Sequence, residues 1–136
     1  MIEYIKGQLT DVNPTYVVIE AAGVGYAINI ALPTYSELVG KEGQESRLYI
    51  TEIIREDAHE LFGFFTKGER ELFVMLMTVS GIGANTARMI MSAYSAAEIR
   101  QIIATGNARA LSQVKGLGPK TAQRIIVDLK DKVLKI

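Results

Sequence analysis

Two stretches of the chain, VSGIGANTARMIM at 79–91 and VKGLGPKTAQRII at 114–126, carry one pattern, Val-x-Gly-[Ile/Leu]-Gly-x-x-Thr-Ala, at an offset of 35 residues. A repeat of this kind means that the chain builds one supersecondary unit twice. Each copy sets a Gly-apolar-Gly turn between the end of one helical run and the start of the next. The apolar residue, Ile82 or Leu117, is expected to plug a core. The glycines on either side, Gly81 and Gly83 in one copy and Gly116 and Gly118 in the other, permit positive φ and let a foreign atom come close to the backbone. The helix after each turn starts with N–H groups that lack intrahelical partners and carry a partial positive charge. Together these features describe a phosphate site, made twice.

The known phosphate loops do not fit. A P-loop needs Gly-x-x-x-x-Gly-Lys-[Ser/Thr], whereas Gly118 is followed by Pro119 before Lys120 and Thr121. A dinucleotide fingerprint needs a strand before the glycines and a third glycine, and both copies follow helical segments and lack that glycine. The reading left is a tandem helix-hairpin-helix, which holds a sugar-phosphate backbone without reading bases. A bare helix connector is the alternative for either copy alone, and the duplication argues against it. Basic candidates flank the turns: Lys115, Lys120 and Arg124 around the second, and Arg88 after the first. The first turn has Ala84-Asn85 where the second has Pro119-Lys120, so Asn85 offers a hydrogen bond but no charge there. A solvated helix face is the lesser alternative for Arg88 and Arg124.

Charge and period both change near residue 66. Residues 1–65 hold ten acids and four bases, and residues 66–136 hold five acids and eleven bases, so the formal net charge of zero hides halves of −6 and +6. A basic helical half suggests a polyanionic partner, and an acidic half beside it suggests a device that steers that polyanion, although two solvated surfaces would give the same sums. The first half reads as five strands (IEYIKGQLTD, YVVIEA, GYAINIA, RLYITEIIRE, ELFGFF), with turns at Asn13-Pro14 and Gly23–Gly25 and a helical turn from Pro33. A five-stranded Greek-key barrel of the OB type carries its helix at that place. Tyr16, Tyr26 and Tyr49 look scattered with few basic neighbours, so this barrel reads as scaffold rather than groove.

The second half reads as about five short helices. Thr66-Lys67-Gly68-Glu69 and Ser95-Ala96-Ala97-Glu98 have the form of capping boxes, Asn107 caps a short helix holding Leu111, and Pro119 opens a stripe through Ala122, Ile125, Ile126, Leu129 and Val133. The expected fold class is therefore α+β in two domains: an OB-like barrel over 1–65 and an all-α domain with two helix-hairpin-helix motifs over 66–136.

Other chemistry finds little support. There is no cysteine, which fits a reducing, cytoplasmic setting, and no apolar run long enough for a membrane. The only histidine, His59, sits beside the acidic pair Glu56-Asp57 with no evident partner, so neither a nucleophile relay nor a metal site is expected. The enzyme alternative, part of a repair glycosylase or nuclease, would need an aspartate over a base pocket, and Asp128 reads as a polar face residue of a helix.

The order of motifs resembles the RuvA family of Holliday-junction-binding proteins: a barrel opening with MI, then IREDAHELFGFF at 54–65, KGERELF, the two hairpins, and RIIVDLKDK at 124–132. The resemblance implies a non-catalytic DNA-binding subunit that needs no cofactor and works in recombination and repair after DNA damage. It implies a homotetramer, single or paired face to face as an octamer, that lays a four-way junction open and flat. The RuvB motor ATPase and the RuvC resolvase are the implied partners. Gly81, Gly83, Gly116 and Gly118 match the family's hairpin glycines, and Lys120 and Arg124 its basic contacts, while Ala84-Asn85 departs from the usual Pro-Lys. Glu56 and Asp57 match the acidic pin that stands near the four-fold axis. The family's third, motor-contacting helical module has no counterpart in residues 1–136, so the chain is expected to be a truncated form.

Overall fold

The computed structural model describes residues 1–134 and divides the chain into two compact units, Met1–Arg70 and Glu71–Ile136. In the first unit β1 (Tyr4–Val12), β2 (Tyr16–Ala21), β3 (Val24–Asn29), β4 (Glu45–Arg55) and β5 (Ala58–Phe64) close into a barrel in the order β1-β2-β3-β5-β4. All neighbours are antiparallel except β3 and β5, which meet in parallel at Asn29 and Phe62. Helix α1 (Leu32–Leu38) lies between β3 and β4 in the chain, as the OB-like reading expects. Alternation fills the interior: Leu9, Val17, Ile19, Ile28 and Leu48 are fully buried, and Leu38 of α1 joins them. The packing is close enough that a Cβ on Gly63 would lie 2.5 Å from Ile28 Cγ2, so β5 needs a glycine there for steric reasons alone.

Two tight turns differ in a way that corrects the sequence reading. The β2–β3 turn consists of Ala22 and Gly23, at φ +52 and +80, the pair of left-handed residues that suits a two-residue hairpin. Gly25 is not part of the turn; it lies in β3 opposite Glu20. The turn closes one residue earlier than the glycine cluster suggests because Ala22 accepts the left-handed conformation. At the β4–β5 turn, Glu56 and Asp57 link the paired Arg55 and Ala58, with no positive φ.

Five helices follow among the described residues: α2 (Lys67–Met77), α3 (Ala84–Ala93), α4 (Ala96–Ala104), α5 (Ala108–Ser112) and α6 (Pro119–Val133). Three begin where their caps predict. Thr66 Oγ1 accepts the Glu69 N–H at 3.2 Å while Glu69 Oε1 accepts the Thr66 N–H at 3.0 Å. Ser95 and Glu98 form the same reciprocal box at α4, and Asn107 accepts the Ala110 N–H at α5. The stripe of α6, Ala122, Ile125, Ile126, Leu129 and Val133, is buried throughout. The units part between Arg70 and Glu71, five residues past the change of period at 66. The first turn of α2 stays with the barrel because Arg70 donates to the Glu3 carbonyl at 2.8 Å and to its carboxylate at 3.0 Å.

Candidate nucleic-acid interface

Gly81 and Gly116 occupy the same left-handed conformation, at φ +91 and +85, which an L side chain adopts only with strain. The next residue of each turn points inward: Ile82 and Leu117 are 6% and 5% exposed, and their N–H groups donate to Val79 and Val114 oxygens at 3.1 and 3.0 Å. The core thereby fixes each turn from beneath. Gly83 and Gly118 are then the N-caps of α3 and α6, with extended backbones at φ −92 and −77.

Those second glycines correct the expectation that every hairpin glycine serves positive φ. Any residue adopts their backbone, and a Cβ on either would meet nothing within 4 Å beyond its own chain neighbours. Nothing inside the fold asks for glycine there. Their absence of a side chain has a visible consequence instead: neither α3 nor α6 receives a side-chain cap, whereas α2, α4 and α5 are capped by Thr66, Ser95 and Asn107. The first intrahelical bonds of the hairpin helices are Ala87 N–H to Gly83 oxygen and Ala122 N–H to Gly118 oxygen, both 3.0 Å. Of the residues that carry the N–H groups before them, Gly83, Asn85, Gly118 and Lys120 are exposed, and N–H groups left over at a helix start are the arrangement that binds an anion.

The cations are unequally shared. Lys115 and Lys120 are exposed on either side of the second turn. In the first, Asn85 is exposed and its Oδ1 is met by Arg88 Nη2 at 3.5 Å, which turns the amide nitrogen the other way. Arg124 lies on α6 but donates through Nη1 to the Ser80 carbonyl of the first turn at 3.2 Å. The structure therefore gathers Gly81, Gly83, Asn85 and Arg88 at one turn and Lys115, Gly116, Gly118 and Lys120 at the other, with Arg124 between them.

Glu56 and Asp57 stand exposed at the tip of the β4–β5 hairpin, in the other unit. Beneath them Arg55 pairs with Glu60 across the strands at 3.4 Å. His59 does have a partner, contrary to the sequence reading: its Nε2 lies 3.0 Å from Glu52 Oε2, while Glu52 Oε1 accepts the Ile2 N–H at 2.6 Å. The Ile2 bond, and then His59, hold the Glu52 carboxyl below the ordinary glutamate range. Glu52 so ties the N-terminus to the base of the acidic hairpin. Its position two residues before Ile54, which faces His59 across the sheet, is a register relation that no local motif announces.

The barrel is also less bare than its sequence suggests. Tyr4 and Tyr49 meet edge to face at 6.4 Å; Arg47 lies 4.4 Å over the Tyr4 ring, and Lys67 and Arg70 each lie 5.7 Å from the Tyr49 ring. The cations at the Tyr49 ring come from α2, 18 and 21 residues further along the chain.

Comparison with known proteins agrees with both units. The RuvA N-terminal domain family matches residues 1–63, and the SAM-like helix-hairpin-helix tandem family matches residues 73–131. A protein of Christiangramia forsetii is 49% identical over 136 residues, which are all of this chain and 69% of that protein. The chain belongs to the RuvA family. Among further RuvA relatives, proteins of Bacteroides fragilis and Porphyromonas gingivalis are 59% and 56% identical over 133 residues, 98% of this chain. Each of these RuvA proteins is named as a Holliday junction branch migration complex subunit, and the chain spans 65% of the length of those two.

Proposed function

We propose that this chain binds four-way DNA junctions through their sugar-phosphate backbones, as a homotetramer that holds the junction open and planar. It is the non-catalytic DNA-binding subunit of a branch-migration complex, and a separate motor ATPase supplies the work. Residues 66–136 carry the DNA contacts, at Gly81, Gly83, Asn85, Arg88, Lys115, Gly116, Gly118, Lys120 and Arg124; residues 1–65 carry assembly and the acidic pin. The observation that supports this most is the pair of glycine-capped helices, α3 and α6, whose leading N–H groups have no side-chain cap while α2, α4 and α5 cap themselves. A phosphate supplies the missing acceptor and the negative charge that a helix N-terminus favours. The names of the relatives support the choice of junction as target.

The pin, Glu56 and Asp57, opposes DNA. Four copies converging on an axis repel phosphates that enter the centre, over the roughly 8 Å that physiological salt allows. A continuous duplex laid across the middle is penalised most, whereas an open junction parts its strands there, so the pin exchanges affinity for selectivity.

Gel shifts with a synthetic junction and a linear duplex, beside light scattering with and without junction, test the proposal. A tetramer that prefers the junction, with log affinity falling against log salt at a slope of about −7 for eight occupied hairpins, is expected. A monomer that binds both DNAs equally would overturn it.

A further inference from the structure

The bond from Arg124 to Ser80 crosses between the two repeats. Aligned at the offset of 35, Arg124 falls on Met89 of the first copy and Arg88 on Gln123 of the second, so neither copy has the other's arginine. Arg124 nevertheless spends a donor 44 residues back, on the carbonyl at 3.2 Å that immediately precedes the left-handed Gly81. A Cβ on Gly81 would lie 4.0 Å from the same Nη1, and nothing else beyond its own chain neighbours comes within that range, so the guanidinium is the group nearest to this turn from elsewhere in the chain. The first turn is the one whose own sequence supplies no cation at its helix start, with Ala84-Asn85 against Pro119-Lys120.

We infer that Arg124 is a positioning residue of the first hairpin: it fixes the Ser80–Gly81 turn and brings to it the charge that Asn85 does not provide. A guanidinium has five N–H donors in a fixed plane, and the bond to Ser80 uses one, which leaves donors for an anion at the same turn. The first repeat then works only with the second folded against it, as a two-part site whose halves differ in what they contribute. The second half of this inference, the supply of charge, rests on the proposed binding of DNA backbone. The first half does not, since the bond exists in the protein alone.

Two measurements separate them. In the free protein, hydrogen exchange at the Ile82 amide is compared with that at the Leu117 amide, which makes the equivalent bond in the other turn. Arg124→Gln is expected to speed exchange at Ile82 about tenfold, the worth of one charge-assisted bond, and to leave Leu117 within about twofold; Arg124→Lys restores part of the protection. Equal acceleration at both amides, or none at Ile82, overturns the positioning role. Binding of a linear duplex at one fixed salt is then measured for Arg124→Gln in the wild-type and in the Asn85→Lys background. The expected losses are about tenfold and about threefold, because a lysine at 85 returns the charge. Equal losses in both backgrounds overturn the supply of charge. If the wild-type protein itself binds no DNA, the functional proposal fails and the exchange result still decides the positioning role.

Discussion

In the first hairpin the left-handed glycine has φ +91 and the capping glycine φ −92; in the second the values are +85 and −77, and the plug residues Ile82 and Leu117 are buried alike. Around this shared backbone the chemistry diverges. Ser80, Ala84 and Asn85 line one turn, and Lys115, Pro119 and Lys120 the other. The backbone of a hairpin thus depends on its left-handed glycine and a core residue, while its attraction for an anion depends on the bare capping glycine and on the charges beside the turn. The two can be changed separately, and the largest effects come from separating them.

Gly118→Asp gives α6 a side-chain N-cap, as Thr66, Ser95 and Asn107 give α2, α4 and α5, and adds a negative charge to it. Stability should rise by a few tenths of a kcal/mol, about 0.3–1 if the helix dipole contributes. DNA affinity should fall about a hundredfold, since a carboxylate then occupies the place of the phosphate. Gly83→Asp should act the same way with a smaller loss, because the first hairpin starts with less charge. Melting curves and gel shifts on the same samples check both signs; a variant that loses stability and affinity together would mean that the second glycines serve the fold. The first glycines are the contrast: Gly116→Ala or Gly81→Ala should cost about 1–2 kcal/mol by forcing a side chain into the left-handed region.

Charge comes next. Lys120→Asn should weaken duplex binding about threefold to tenfold, and Asn85→Lys should strengthen it by a similar factor, with the salt slope changing by about 0.9 for each phosphate released or newly neutralised. Unequal slopes for the two exchanges would mean that the hairpins do not hold equivalent phosphates.

A smaller effect concerns the helices that cap themselves. Glu98 is held below the ordinary carboxylate range by the Ser95 backbone and side-chain hydrogen bonds. The folded protein therefore binds fewer protons than the unfolded chain near that range. The resulting stability is present above about pH 4.3, the unfolded value, and is lost as pH falls through the lowered one. Glu3, held down first by its Arg70 hydrogen bond, and Glu52 act in the same direction. Urea titrations from pH 7 to 3 should show Glu98→Gln as less stable at neutral pH and less sensitive to acid, with DNA affinity at pH 7 unchanged.

What could be read without coordinates follows from which interactions are local. The caps at Thr66, Ser95 and Asn107, the stripe of α6 and the plugs Ile82 and Leu117 all express spacings of three or four residues, and all stand where the sequence puts them. The barrel strands were legible from their alternation. The conformational roles of the glycines were not: sequence shows two glycines per turn, and only the folded backbone distinguishes the strained position from the open one. The remaining surprises span long distances in sequence. Arg124 reaches Ser80, Glu52 joins Ile2 to His59, and Lys67 and Arg70 surround Tyr49. Each is a pairing of ordinary residues, invisible until sheet register and helix packing bring them together.

The most direct test follows backbone amide resonances while a short DNA duplex is added to the protein. The amides of Gly83, Ala84 and Asn85 and of Gly118, Lys120 and Thr121 should move downfield as their N–H groups gain an acceptor, the second set at lower DNA concentration than the first. The corresponding amides of α4 and α5, already capped by Ser95 and Asn107, should stay still. Movement at the α4 and α5 amides, or none at the two hairpin helices, would contradict the assignment of the glycine-capped turns as the phosphate sites.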